Sequence, residues 1–491
     1  MQYRILSSIL GLLALLLGVF LLIFAIIGFV FYHSENQYES FFYSFLISVA
    51  IGILFRLIGE KVTEEKITFR EGLAVAGLGW IFVAFLASLP GYISGAIPSF
   101  TDSYFESMSA FTTTGASIMM QIEGSGHTFL LWRSFGHWLG GMGIIVLTIA
   151  MLPAIGMGGM QLFKAESPGP TKDKLVPKIS ESARRLYFVY TALTVAQLLL
   201  LFFGGMDLFE ALCHTFGTMG TGGFSPLNGS IGQYAKAGNP HALYFEIIII
   251  IFMFLAGINF SLHYRIFRGD KKAIFKDSEF HYYLGIVLIV IMVISFDLLV
   301  NNQYNSFFEA LRHASFTTVS IITTTGYGTE DFDRWSSLSK ILLVMIMFIG
   351  GMAGSTGGGI KVVRFAAMLK EALEQIKYTI HPKRIYTVRM GDTFISKDVL
   401  GAINSFIFIF LLLYVVGILI LATTGKSFET ITTMVLACLA NIGPGLGEVG
   451  PSKNFADIPD YGKWVLSYMM VLGRLELFPV LALLLPRMWR K

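Results

Sequence analysis

Long apolar runs limit what this chain can fold into more than any other feature of its sequence. The stretch from Gly401 to Ala422 is one of several that reach the ~20 residues an α-helix needs to cross a bilayer. Only 14% of the 491 residues are charged, against about 25% in soluble domains. Because only helices and closed barrels span lipid, the continuity of these runs predicts an all-α integral membrane protein.

The remaining composition excludes other classes of protein. Cys213 and Cys438 lie far apart in apolar surroundings, so they indicate neither a disulfide framework nor a metal centre. The net charge is +4, and the sequence has no run of basic residues long enough to bind nucleic acid. The first apolar run, Ile5–Val30, is longer than a signal-peptide core of about 7–15 residues, so it is predicted to be a retained span.

Ten transmembrane helices are predicted, in two N-terminal spans and four repeats. Each repeat has an apolar helix, a Phe-Glu pair, a helix too short to span, a turn rich in Thr and Gly, and a second apolar helix. The N-terminal pair occupies residues 1–58, and the repeats occupy residues 71–151, 183–268, 280–369 and 398–491. Irregular backbone at membrane depth is tolerated only where it lines a cavity, so four re-entrant half-helices predict one central pore.

Charge supports a common orientation for the four repeats. Most of the 36 Lys and Arg residues fall in connections on one side, which the positive-inside rule assigns to the cytoplasm. The Phe-Glu pairs are Phe105-Glu106, Phe209-Glu210, Phe308-Glu309 and Phe428-Glu429. Their carboxylates are expected near the half-helix starts, where they either complement the helix dipole or form an outer ring that attracts cations.

The four turns are expected to share one axis on the outer side. They are Thr112–Ser117, Met219–Ser225, Thr323–Thr329 and Asn441–Gly445. Glycine permits unusual backbone dihedral angles, and such a backbone can aim successive carbonyl oxygens at an axis. Rings of carbonyls replace the water shell of a dehydrated potassium ion. A single Thr/Gly loop is more often a plain turn, so this hypothesis depends on all four turns meeting.

With the glycine-rich segment 350–359, these turns resemble the Trk/Ktr/HKT superfamily of potassium transporters, and most closely its TrkH family. The resemblance extends over nearly the whole chain. It implies four filter glycines: Gly115, Gly222, Gly326 and Gly443. It also implies ion coordination by backbone carbonyls around Thr113, Thr114, Gly220, Thr221, Thr324, Thr325, Asn441 and Ile442. A serine at the position of Gly115 goes with sodium preference in related plant carriers, so glycine there favours potassium.

A glycine-rich break interrupts the second helix of the third repeat. Six glycines fall within ten positions: Gly350, Gly351, Gly354, Gly357, Gly358 and Gly359. Each costs ~1 kcal/mol relative to alanine inside a helix, so a regular span is not expected. The segment is either a close-packing surface of small residues or unwound backbone. The resemblance implies a movable gate beneath the filter, anchored at its inner end by Lys361.

One charged residue, Arg474, falls near the middle of the last predicted span. Charge at that depth costs at least ~2.5–3.5 kcal/mol on insertion scales. Arg474 therefore either pairs with a buried carboxylate of another helix or, as the resemblance implies, forms an electrostatic barrier in the pore below the filter.

The predicted function is selective potassium permeation for uptake, down the ion's gradient or by symport with another ion. The resemblance implies a homodimer in the bacterial inner membrane, working with a cytoplasmic nucleotide-binding regulatory subunit similar to TrkA. The chain has no glycine fingerprint for a nucleotide, and K⁺ is the ligand expected. Its basic inner segment, 361–397, is expected to contact anionic membrane lipids or the regulatory subunit. The alternatives are a sodium-permeable or poorly selective relative and a membrane-embedded enzyme; convergent nucleophiles for an enzyme are missing from the sequence.

Overall fold

The computed structural model describes residues 2–59, 69–151, 179–382, 387–391 and 393–489. This part of the chain is mostly α-helical, with a small antiparallel hairpin of β1 (Val388–Met390) and β2 (Thr393–Ile395). Parts of three predicted inner connections (56–70, 152–185 and 361–397) lie outside the described residues, including 60–68, 152–178 and 383–386.

The helices follow the order of the predicted repeats. The described α-helices are α1 (Tyr3–Phe31), α2 (Tyr38–Ile58), α3 (Phe69–Ile93), α4 (Phe100–Phe111), α5 (His127–Met151), α6 (Ile179–Phe203), α7 (Leu208–Met219), α8 (Gly232–Lys236), α9 (Ala242–Ala256), α10 (Phe260–Phe267), α11 (Ala273–Lys276), α12 (Ser278–Val300), α13 (Phe307–Ile322), α14 (Ser337–Ile349), α15 (Val362–Ile380), α16 (Lys397–Leu421), α17 (Phe428–Leu439), α18 (Asp460–Arg474), α19 (Phe478–Leu483) and α20 (Pro486–Trp489).

Long apolar helices confirm a multi-span membrane protein. Within the described ranges, six helices are long and apolar enough to cross a bilayer: α1, α2, α3, α6, α12 and α16. A seventh span results if α9 and α10, which meet at a bend of 100°, are counted as one. The arrangement of ten spans therefore stays a prediction.

Four short helices, α4, α7, α13 and α17, begin at side-chain caps. The capping oxygens belong to Ser99, Asp207, Ser306 and Ser427, and each accepts a hydrogen bond from a backbone N–H of the first turn. Such caps satisfy donors that the helix itself leaves free. The opposite end of each helix runs directly into one of the Thr/Gly turns.

Three of the second helices are broken, whereas continuous helices were expected at 243–267 and 461–488. The first break separates α9 from α10, and Asn259 caps the N-terminus of α10 with its side chain. Another follows Arg474, where Glu476 and Leu477 adopt positive φ angles of 56° and 63°. Polar side chains bind backbone at both breaks: Asn259 accepts from the Ser261 N–H, and Arg474 donates to carbonyl oxygens of the glycine-rich segment and of α5. The third break is the expected one, from Gly350 to Lys361.

The most buried part of the fold surrounds the four short helices. Phe105, Phe316 and Met434 on these helices are at most 1% exposed. By contrast, Phe308 and Phe428 at the outer starts of two of them are 79% and 81% exposed. The short helices therefore direct their turns into the centre of the protein.

Candidate functional site

The four turns repeat the same backbone conformation. Each short helix ends at a residue of helical conformation: Thr112, Gly220, Thr323 and Ala440. The next residue has a positive φ in every case: Thr113 (54°), Thr221 (53°), Thr324 (58°) and Asn441 (56°). Two positions later comes a glycine with positive φ: Gly115 (80°), Gly223 (78°), Gly326 (83°) and Gly443 (99°). Positive φ is uncommon outside glycine, so its recurrence defines one shared turn.

This geometry corrects the residue register expected for the second turn. Gly223 has the conformation and place of Gly115, whereas Gly222 occupies the place of Thr114. Gly220 ends the short helix, as Thr112 does in the first repeat. The sequence Thr-Gly-Gly offers two candidate glycines, and only the position where the helix ends decides between them.

The turns lie edge to edge in a closed ring. A Cβ atom built on Gly115 would lie 2.0 Å from the carbonyl oxygen of Gly222 in the next turn. The equivalent distances are 1.9 Å from Gly223 to the Thr325 oxygen, 2.2 Å from Gly326 to the Ile442 oxygen and 2.7 Å from Gly443 to the Thr114 oxygen. Each turn thus touches the next, and the fourth returns to the first. Any side chain at the glycine position would collide with a neighbouring carbonyl.

The carbonyls of this ring are buried without protein partners. Across the described residues, no backbone or side-chain donor bonds to the oxygens of Thr114, Gly222, Thr325 or Ile442. Buried carbonyl oxygens are almost always hydrogen-bonded in proteins. Four of them at equivalent positions around one centre suit a dehydrated cation.

Side chains behind the ring join neighbouring turns. The Tyr327 hydroxyl donates to the carbonyl oxygens of His214 (3.1 Å) and Phe224 (3.2 Å), which connects the third repeat with the second. The Asn441 amide donates to the Thr114 hydroxyl at 2.9 Å, which connects the fourth with the first. Both contacts are buried and fix the turns relative to each other.

The glycine-rich loop, residues 350–361, lies against the inner side of the ring. The Gly358 N–H donates to the Thr324 hydroxyl at 2.7 Å. A Cβ on Gly358 would lie 2.1 Å from the carbonyl oxygen of Ala440, where the fourth short helix ends. The loop therefore contacts two of the four turns directly, and its backbone is irregular, as expected.

Charged side chains hold this loop. The Glu279 carboxylate on α12 accepts hydrogen bonds from the N–H groups of Ala353 (2.7 Å) and Val363 (3.2 Å), one inside the loop and one just after it. The Lys361 ammonium donates to the Gly357 carbonyl oxygen. The contribution of Glu279 was missed in the sequence, where its only signal is a lone acid at the start of an apolar helix.

Arg474 lies beneath the ring and bonds to backbone. Its guanidinium donates to the carbonyl oxygens of Thr356 in the loop (2.6 Å) and Gly140 on α5 (3.0 Å), and the residue is 2% exposed. The nearby Glu476 instead pairs with Arg364 at 2.6 Å. Among the described residues, Arg474 has no carboxylate partner. The alternative in which Arg474 pairs with a buried carboxylate of another helix is therefore not formed by these residues.

The Phe-Glu pairs are not equivalent in all four repeats. Glu210, Glu309 and Glu429 lie in the first turn of their short helices, as expected. In the first repeat that place belongs to Asp102, and Glu106 lies one turn deeper, 1% exposed. Aligning the four repeats on their Phe-Glu dipeptides therefore shifts the first repeat by about one helical turn relative to the others.

The chain is similar to known cation transport proteins over nearly its whole length. Residues 33–490 match the family model described as TrkH, a cation transport protein. The Trk system potassium uptake protein TrkH of Escherichia coli (strain K12) is 36% identical, and the alignment covers 100% of both chains. The TrkH of Vibrio parahaemolyticus is 37% identical over the same coverage. The crystal structure of the potassium transporter TrkH from Vibrio parahaemolyticus superposes with a TM-score of 0.90 at 34% identity, covering 100% of both chains.

Proposed function

The chain belongs to the TrkH family of cation transport proteins, and from this premise we propose that it carries out potassium uptake. It is a multi-pass protein of the bacterial inner membrane and a transporter, not an enzyme. Relatives named as potassium uptake proteins align with it from end to end. The alignment therefore includes every residue of the ring and of the loop beneath it.

The ring of carbonyls is the observation that supports potassium as the substrate. The proposed coordinating groups are the backbone carbonyls of Thr113, Thr114, Thr221, Gly222, Thr324, Thr325, Asn441 and Ile442. The glycines that allow the turns to meet are Gly115, Gly223, Gly326 and Gly443. The short helices end at the ring, so the negative ends of their dipoles favour a cation there.

The proposed architecture has four repeats around one pore. The first helices of the repeats are α3, α6, α12 and α16. The second spans are α5 in the first repeat and the three broken helices in the other repeats, which makes four more. Helices α1 and α2 add two more. This gives the ten spans expected from the sequence, with the ring on their common axis.

The loop and Arg474 form the proposed gate below the ring. Its residues are Gly350, Gly351, Gly354, Gly357, Gly358, Gly359, Lys361 and Arg474. Support comes from the contact of Gly358 with Thr324 and from the Arg474 guanidinium bound to Thr356. A fixed positive charge on the ion's route raises its electrostatic energy. Opening therefore requires two changes. The loop must move away from Thr324, and the Arg474 guanidinium must release the Thr356 carbonyl oxygen.

Partners are proposed from the family resemblance and from charge. The protein acts as a homodimer with a cytoplasmic nucleotide-binding subunit similar to TrkA, and its exposed apolar helix faces contact membrane lipids. The helix α15, on which Lys377 is exposed and Lys370 is half-buried, is the proposed inner contact. The nearby Lys383 and Arg384 lie outside the described residues.

Ion flux into liposomes tests the proposal. The purified protein should admit K⁺ and Rb⁺ much faster than Na⁺. Gly326→Ser should abolish that preference, because its Cβ would lie 2.2 Å from the Ile442 carbonyl oxygen. Gly425→Ser is the matched control, since Gly425 also has a positive φ (72°) but has open space around it.

Equal K⁺ and Na⁺ flux through the unaltered protein would contradict the proposal and favour the poorly selective alternative. Repeating the K⁺ measurement with and without a proton or sodium gradient separates free permeation from symport.

A further inference from the structure

A buried ion pair lies directly behind the first turn. The Arg133 guanidinium lies 2.6 Å from the Glu106 carboxylate as an ion pair, and the Glu106 and Arg133 side chains are 1% and 3% exposed. The same carboxylate accepts from the Ser117 hydroxyl and from the Ile118 N–H, each at 2.9 Å. Ser117 follows Gly115 by two residues, so Glu106 holds the segment that leaves the first turn.

Arg133 extends this contact to the second turn. Its guanidinium carbon lies 4.0 Å from the ring centre of Phe224, the residue directly after Gly223. The carbonyl of Phe224 in turn accepts from the Tyr327 hydroxyl of the third repeat. On the other side, the carbonyl oxygen of Ser117 accepts from the Phe455 N–H, which follows the fourth turn, at 2.8 Å. The pair is therefore connected to all four turns.

The position of Glu106 is charged in one repeat only. It lies six residues before Thr112, which ends the short helix. The residues six positions before the corresponding helix ends are His214, Thr317 and Met434, and all three are buried. A buried charge is costly unless it is paired and hydrogen-bonded. The ion pair therefore constrains the geometry of the first turn more strongly than the neutral residues at the equivalent positions constrain the other three turns.

We propose that Glu106 and Arg133 are positioning residues for ion selectivity, setting the spacing between the first and second turns of the carbonyl ring. This inference rests on the proposed function of the ring as the selectivity filter. Neither side chain coordinates the ion; both act through Ser117, Ile118 and Phe224. Loss of the pair should widen the ring at one edge and admit Na⁺.

The test is the ratio of Rb⁺ to Na⁺ flux in liposomes for Glu106→Gln. Removing one charged hydrogen-bond partner should lower the ratio by on the order of tenfold, with Rb⁺ flux itself retained. Ser117→Ala, which removes the hydroxyl that donates to Glu106 and accepts from Arg133, should lower it by about twofold to threefold. Asp102→Asn is the matched control, because Asp102 lies on the same short helix as Glu106, one turn farther from the ring, and pairs with Lys463 of α18 at 2.5 Å.

The variant Glu106→Gln leaves Arg133 unpaired and can fail to fold. In that case the double variant Glu106→Gln with Arg133→Met removes both charges, which buried sites often tolerate, and it should show the same lowered ratio. A folded double variant with the selectivity of the unaltered protein would overturn the inference. So would an equal loss of selectivity in Asp102→Asn. If the unaltered protein itself does not discriminate Rb⁺ from Na⁺, the proposed function fails instead.

Discussion

The ring of turns and the loop beneath it are both rich in glycine, yet they use it differently. The ring has one glycine per repeat in the same conformation, and each faces the carbonyl of the next turn. The loop has six glycines within ten positions of one repeat, whereas the breaks between α9 and α10 and between α18 and α19 are three residues long. Charged side chains such as Glu279 and Arg474 hold it in place.

This difference separates two functions. A ring in which every turn supports the next has a single geometry, because moving one turn disturbs two neighbours. A loop held by a few separate bonds can leave its position when those bonds break. We therefore expect ring substitutions to change selectivity and loop substitutions to change the rate of permeation.

The largest expected effect is that of Gly115→Ala. Its Cβ would lie 2.0 Å from the Gly222 carbonyl oxygen, and overpacking of this kind costs about 1–3 kcal/mol. The flux ratio of Rb⁺ to Na⁺ should fall by on the order of a hundredfold. The control is Gly95→Ala, since Gly95 has a similar φ of 74° with nothing within 4 Å of its Cβ. Equal selectivity in both variants would remove the role assigned to the ring.

Arg474→Gln should come second and act on rate alone. The change removes the positive charge and weakens the bonds to Thr356 and Gly140. Hydrogen bonds to charged groups contribute about 1.5–3 kcal/mol, so Rb⁺ flux should rise by on the order of tenfold. Selectivity measured in the same liposomes should not change. A change in selectivity without a change in rate would reverse the assignment of the two regions.

Sequence and structure agree best where polar residues interrupt apolar runs. The Thr/Gly turns and the break at Gly350 stand out because neither fits a regular span. The register at Gly222 and Gly223 was wrong, since adjacent glycines have identical local signals. Whether Glu106 lies at the start or the middle of its helix depends on the cap at Ser99, which the Phe-Glu pattern does not identify.

Long-range contacts were less accessible from the sequence. The bonds from Glu279 to the loop and from Arg133 to Phe224 join residues about 75 to 90 positions apart. Periodicity and composition describe single segments, so they do not report which segments meet. The partners of Arg474 were left open for the same reason.

A smaller effect on rate is expected for Glu279→Gln. The amide keeps the size of the carboxylate but weakens the bonds from Ala353 and Val363. Rb⁺ flux should rise by about threefold, again at constant selectivity. Glu309→Gln is a suitable control, because Glu309 lies at the exposed outer start of α13. A rise of the same size in Glu309→Gln would show that the effect is not specific to the loop.

The smallest effect on transport is expected for Tyr327→Phe. The variant loses the bonds to His214 and Phe224 while the ring of the side chain keeps its packing. The free energy of unfolding should fall by about 1–2 kcal/mol, which a denaturation curve in detergent measures. The Rb⁺ to Na⁺ flux ratio should fall by no more than about threefold. A larger loss of selectivity with unchanged stability would mean that this hydroxyl acts on the ion more directly.

The most direct test of the account is to locate the ion. Crystals of the protein soaked in Tl⁺ or Rb⁺ should show anomalous scattering at the centre of the ring, within coordination distance of the carbonyl oxygens of Thr114, Gly222, Thr325 and Ile442. Na⁺ in excess should not displace it. Anomalous density elsewhere, with none among these four oxygens, would contradict the claim that the turns select potassium.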